Sequence, residues 1–275
     1  VLVSFLSGTR LLFALFCATP AVFAVKRPRM KYLPTLTLTL TLLTQALANT
    51  ATQPATRPDY PPEMQEKWLK RHEEFSAIAR QGGIDVLFIG DSITDYWRTK
   101  GKALWDTHFA PLKAANFGIS GDRIQQVLWR MENGELNGIK PKVVVVMIGT
   151  NNTTPGFGGE KSLTPRNSIP EIIAGVTAVV QTLRTKLPDA KVLLFGIFPR
   201  GQKGDPIRAE LNEINAGLSR LDDGRYVKFL DIGPKFLAAD GTLSRDMMPD
   251  LLHPTEVGYR IWAEAIQAPL ADFLR

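Results

Sequence analysis

Cysteine is almost missing from this 275-residue chain. The single one, Cys17, lies near the N-terminus, so the bulk of the protein has no disulfide, no thiolate nucleophile and no cysteine-based zinc site. Histidine is nearly as scarce, and only His72, His108 and His253 are available as a base near neutral pH. Acidic residues are absent from residues 1–48, which carry Arg10, Lys26, Arg27, Arg29 and Lys31. That bias marks a targeting segment. Setting those five aside leaves 28 of the 33 basic residues against 27 acidic ones. No basic stripe with interleaved aromatics appears either, so the formal charge of +6 is no nucleic-acid footprint.

Within the targeting segment, Met30-Lys31 precedes an apolar, threonine-rich run and then Ala46-Leu47-Ala48, the small-x-small pattern of a signal-peptidase site. Cleavage after Ala48 and export to the periplasm or the exterior are the expectation. Residues 1–29 begin with Val and hold a second apolar run, 11–25, too short for a clear membrane span, which leaves Met30 open as the true start. Cleavage after Ala24 and an uncleaved membrane anchor are the alternatives. Residues 49–61, rich in Thr, Pro and Ala, read as a disordered linker.

From residue 62 onward helix and strand signals alternate. Predicted strands at 86–89, 115–117, 143–148, 192–197 and 226–230 are separated by helices at 122–132, 169–187 and 209–221. A charged helix at 63–81 precedes them, and a helix at 255–273 closes the chain. The strands are apolar throughout, the pattern of a parallel sheet covered on both faces. One α/β domain over 62–275, a three-layer α/β/α sandwich, is therefore expected. Residues 153–168 hold three Gly and two Pro without periodicity, as in long loops that carry function.

Three motifs carry chemistry: Gly90-Asp91-Ser92-Ile93-Thr94, Gly149-Thr150-Asn151-Asn152 and Asp250-Leu251-Leu252-His253-Pro254. The first two directly follow predicted strands, where α/β folds place their sites. Serine is a weak nucleophile that needs a base, which in turn needs an orienting group. His253 and Asp250, three residues apart, supply both. A Gly-Asp-Ser turn can also be a plain helix cap, and the Gly-x-Ser-x-Gly elbow of the α/β-hydrolases is absent. Asn151 can make an Asx-turn or donate its amide to a developing oxyanion. Gly121 is an ordinary turn glycine or an unhindered backbone donor at a helix N-terminus. His72 is expected to be solvated on its charged helix, and His108 to lie at the surface or the core edge. Ile93, Tyr96 and Trp97 are candidate pocket residues, with helix packing as the alternative.

Taken together, these residues resemble the SGNH/GDSL hydrolases, a superfamily named for Ser, Gly, Asn and His in four blocks. Ser92, Gly121, Asn151 and His253 match those blocks in order, and Asp250 matches the triad position. Residues 116–130, 133–143 and Phe198-Pro199-Arg200-Gly201 are similar, among its members, to the catalytic subunits of platelet-activating factor acetylhydrolase and their bacterial relatives. The resemblance covers about residues 62–272. It implies a flavodoxin-like five-stranded parallel sheet and a serine esterase without cofactor or metal. It also implies an oxyanion hole of Ser92, Gly121 and Asn151, and homodimers as in the relatives. The loop at 153–168 is longer than the family pattern. Short acyl esters, acetyl above all, are the expected substrates, with acetylated polysaccharide a natural source for an exported enzyme. The alternatives are a lysophospholipase or thioesterase acting on longer chains, and a carbohydrate-binding module without chemistry.

Overall fold

The computed structural model describes residues 49–275, and the leader with its processing site lies outside the described residues. Strands β1 (Val86–Gly90), β2 (Ala114–Gly118), β3 (Val143–Met147), β4 (Lys191–Phe195) and β5 (Val227–Leu230) form one sheet in the order β2-β1-β3-β4-β5. All four pairings are parallel. This is the flavodoxin-like order, and the chain reverses its direction of travel across the sheet between β1 and β3.

Side chains alternate between two cores, which is why the strands are apolar at every position. Leu87, Ile89, Val144, Val146, Val192 and Leu194 face one cluster. Val86, Phe88, Val143, Val145, Leu193 and Phe195 face the other. The first cluster is covered by α1 (Pro62–Gln81), α4 (Ile124–Arg130), α5 (Ile169–Lys186) and α6 (Pro206–Leu218). The second is covered by the short α2 (Ser92–Asp95) with the turn after it, by α3 (Lys102–His108) and by α7 (Glu256–Leu274). Trp97, Tyr259 and Trp262 fill its centre without solvent exposure. Sequence periodicity did not mark α2 or α3, which are four and seven residues long and too short to show it.

Two expectations are corrected. Residues 49–61 are no disordered linker but a strap laid on the domain. Asn49 caps a short turn at Thr50–Thr52, Ala51 is fully buried against Gly175, and Gln126 donates to the Thr56 carbonyl at 2.8 Å. Arg57, only 3% exposed, pairs with Asp59 through two 3.1 Å bonds. Composition missed this because a few buried anchors outweigh the polar residues between them. His72 is likewise buried: its ring packs edge-on to Trp129 and its Nε2 lies 3.1 Å from the Asn133 carbonyl.

Candidate active site

Strand β1 delivers Ser92 to the carboxyl edge of the sheet. Asp91 caps α2 by accepting the Ile93 N–H at 3.0 Å, and Ser92 begins the helix. Burial pushes the Asp91 carboxyl up to about 7, only partly opposed by that bond. The Tyr259 hydroxyl donates to the Ile93 carbonyl at 2.6 Å, tying α7 to the turn.

The loop before α7 brings the imidazole in. His253 Nε2 stands 2.9 Å from Ser92 Oγ, and its Nδ1 stands 2.6 Å from Asp250 Oδ2. Asp250 Oδ1 accepts the backbone N–H groups of Leu252 and His253 at 3.1 and 2.8 Å. Burial acts to raise the Asp250 pKa, but these bonds to His253 and Leu252 outweigh it and hold the carboxyl at about 2. The tight wrap needs Leu251 in the left-handed region at φ +58°, a conformation uncommon outside glycine. The Leu251 carbonyl is held by the Gly201 N–H at 3.0 Å, so the Phe198–Gly201 motif after β4 braces the histidine loop.

Gly121 and Asn151 line one cavity. Gly121 adopts φ +82°, and its N–H makes no hydrogen bond to a described residue. Asn151 Nδ2 donates to the Asp122 carbonyl at 2.8 Å and has a second hydrogen to spare. Asn151 is thus anchored to the residue that follows Gly121. Asp122 itself is fully buried between Trp68 Nε1, at 2.7 Å from Oδ1, and Arg130 Nε, at 2.9 Å from Oδ2. Burial works against the charge on Arg130, but Glu135 and Asp122 keep its guanidinium protonated. Sequence reasoning missed this support. The spacing from Asp122 to Arg130 and Glu135 could have suggested it, whereas nothing in the sequence pointed to Trp68.

Of the candidate pocket residues, Tyr96 places its ring 5.1 Å from that of His253. Ile93 and Trp97 are 1% and 0% exposed and belong to the second core, so helix packing accounts for them. His108 is at the surface, where Gln267 approaches its ring at 3.4 Å. The loop at 153–168 is tied down: Arg123 donates to the Thr164 and Pro165 carbonyls at 3.1 and 2.6 Å, and the Phe157 N–H donates to Asp59 at 2.9 Å.

A strand-end serine hydrogen-bonded to a histidine-carboxylate pair at the carboxyl edge of this sheet is the arrangement of an acyl-transfer hydrolase. The sequence profile of the GDSL-like lipase/acylhydrolase family matches residues 88–261, and the chain belongs to that family. Human platelet-activating factor acetylhydrolase IB subunit alpha2 is 38% identical over 195 residues, covering 70% of this chain and 79% of that protein. The human alpha1 subunit is 37% identical over 209 residues, covering 76% and 84%. Among solved structures, a GDSL-like lipase from Bacteroides thetaiotaomicron superposes with TM-score 0.58 at 19% identity, covering 74% of this chain and 97% of the other. An acetylxylan esterase from Geobacillus stearothermophilus superposes with TM-score 0.51 at 21% identity, covering 70% and 94%. At these identities the two structures show the shared fold.

Proposed function

We propose that this chain is a serine esterase for short acyl esters, acetyl above all. The observation that carries the reading is the continuous contact from Ser92 Oγ through His253 to Asp250, at 2.9 and 2.6 Å. Ser92 attacks the ester carbonyl while His253 takes its proton, and Asp250 holds the imidazole and stabilises its charged form. A carboxyl kept at about 2 stays ionised wherever the imidazole can act. The developing oxyanion is met by the N–H groups of Ser92 and Gly121 and by the Asn151 amide. His253 then protonates the leaving alcohol, and water activated by the same imidazole releases the acid from Ser92.

The acetyl preference draws support from the acetylhydrolase relatives at 37–38% identity. Export draws support from the acid-free, signal-like residues 1–48. Hydrolysis of p-nitrophenyl esters from acetate to decanoate, compared with Ser92→Ala, tests the reading. Activity should fall with chain length and vanish in the variant. A Ser92→Ala protein that keeps its activity sinks the mechanism, and a rate that rises with chain length would favour a lysophospholipase or thioesterase.

A further inference from the structure

Resting on this esterase reading, we infer that the cavity between the strap and the loop at 153–168 is the subsite for the alcohol half of the ester, and that it takes one neutral sugar ring. The cavity, about 200 Å³, starts at Gly121 and Asn151 and is walled by Tyr60, Phe157 and Pro155. It is smaller than the ~300–1,000 Å³ typical of pockets for drug-sized ligands, which suits a single ring. With acetyl as the acyl group only one methyl lies on the acid side, so a ring-sized space falls to the alcohol.

The walls select the chemistry. Phe157 is 48% exposed and packs edge-on against Tyr60 with centroids 5.6 Å apart. An exposed aromatic face suits the C–H face of a sugar, while the Tyr60 hydroxyl and the Asn151 amide suit its hydroxyls. A Cβ on Gly121 would come 2.7 Å from Tyr60 Oη, so the phenol lies directly beside the oxyanion turn. Burial raises the Tyr60 pKa, which keeps its hydroxyl a donor.

Charge argues for a neutral ligand. The Arg57 guanidinium lies 3.6 Å over the Tyr60 ring, which disfavours a cation there, and it is itself engaged by Asp59 and the Gly121 carbonyl. The terminal nitrogens of Arg123 are taken by the Thr164 and Pro165 carbonyls and by Asn167. Neither arginine is more than 3% exposed, so neither is open to an anion. The platform is also fixed in advance, because Asp59, pinned by Arg57, accepts the Phe157 N–H.

Release of the carboxylic acid by the full chain tests this with four esters: an acetylated methyl xyloside, ethyl acetate, ethyl butyrate, which yields butyrate, and a choline phospholipid carrying an acetyl group. The expected kcat/KM ratio of xyloside to ethyl acetate is about tenfold or more, equivalent to ~1.4 kcal/mol. Phe157→Ala should erase most of that ratio, and Tyr60→Phe should lower it about two- to tenfold, the range for one hydrogen bond. Phe157 is exposed and Tyr60→Phe removes one atom, so both variants should fold.

A ratio near one in the wild type, or one unchanged in both variants, overturns the subsite and leaves the esterase reading standing. So does a Phe157→Ala variant that shifts preference between acetate and butyrate instead, which would make the cavity an acyl pocket. Preference for the choline ester overturns the neutral-sugar assignment. Acetate release from none of the acetyl esters overturns both readings.

Discussion

Trp68→Phe separates the support of the oxyanion turn from the support of the fold. Trp68 Nε1 is the only hydrogen-bond donor on Asp122 Oδ1 among the described residues, at 2.7 Å, and the carboxylate has no solvent exposure. Phenylalanine keeps most of the ring but leaves that oxygen unpartnered, at a cost of about 1–3 kcal/mol. In a domain of this size each kcal/mol lowers Tm by roughly 2–4 °C. The functional cost is separate, because the Asp122 carbonyl orients Asn151 and Asp122 directly follows Gly121 in the chain. Once Asp122 can turn, both donors drift, and kcat should fall about tenfold or more, since displacements near 1 Å can cost ~100-fold.

The assay is kcat and KM for p-nitrophenyl acetate alongside thermal unfolding, with Phe75→Leu as the control. Phe75 is buried on the same helix and stacks on Phe117 at 4.7 Å, so truncating it also destabilises the protein. A lower kcat in Trp68→Phe and not in Phe75→Leu, at similar Tm, is the expected result. Equal kcat in the two variants would refute the reasoning and leave Asp122 a purely structural residue.

Three further outcomes follow from the same geometry. Asn151→Ala should lower kcat about 100- to 1,000-fold with KM little changed; steady-state kinetics checks this, and a kcat close to wild type would remove Asn151 from the oxyanion hole. Gly121→Ala should lower both Tm and kcat, because at φ +82° the new Cβ would sit 2.7 Å from Tyr60 Oη and 3.3 Å from Arg57 Nη1. Calorimetry with the ester assay checks that, and an unaffected variant would mean that the strap yields. Asp91 carries a pH prediction: its carboxyl ionises near 3.8 ordinarily but keeps its proton to about 7 when folded, so the native state binds the extra proton between those values. Stability on this account falls as pH rises from about 4 to 7, by at most ~4 kcal/mol. Asp91→Asn should flatten that slope in urea titrations, and matching slopes would remove the cause.

The sheet was legible because it is written in unbroken apolar runs such as Val143–Met147, which only a doubly covered parallel strand needs. Ser92, His253 and Asp250 were legible because scarcity helped: with three histidines in the chain, one beside an aspartate and a proline stands out. What stayed hidden was tertiary. The strap reads as a linker because its anchors, Ala51 and Arg57, are single residues whose contacts to the rest of the domain lie 64 or more positions away, at Gly121 and beyond. Trp97 reads as a pocket residue because nothing local says that Tyr259 and Trp262 close over it. The Trp68 contact to Asp122 spans 54 residues and has no periodic trace.

The strap also separates where the fold starts from where the catalyst starts. A chain begun at Pro62 would keep the sequence of every strand and every long helix. It would nevertheless have lost the Arg57 contact to the Gly121 carbonyl, the Tyr60 wall and the Asp59 anchor of the Phe157 loop. In library screening or domain grafting, a boundary chosen from regular secondary structure would discard these contacts together with the buried Ala51. The cut belongs ahead of Asn49, whose side chain caps the first turn of the strap.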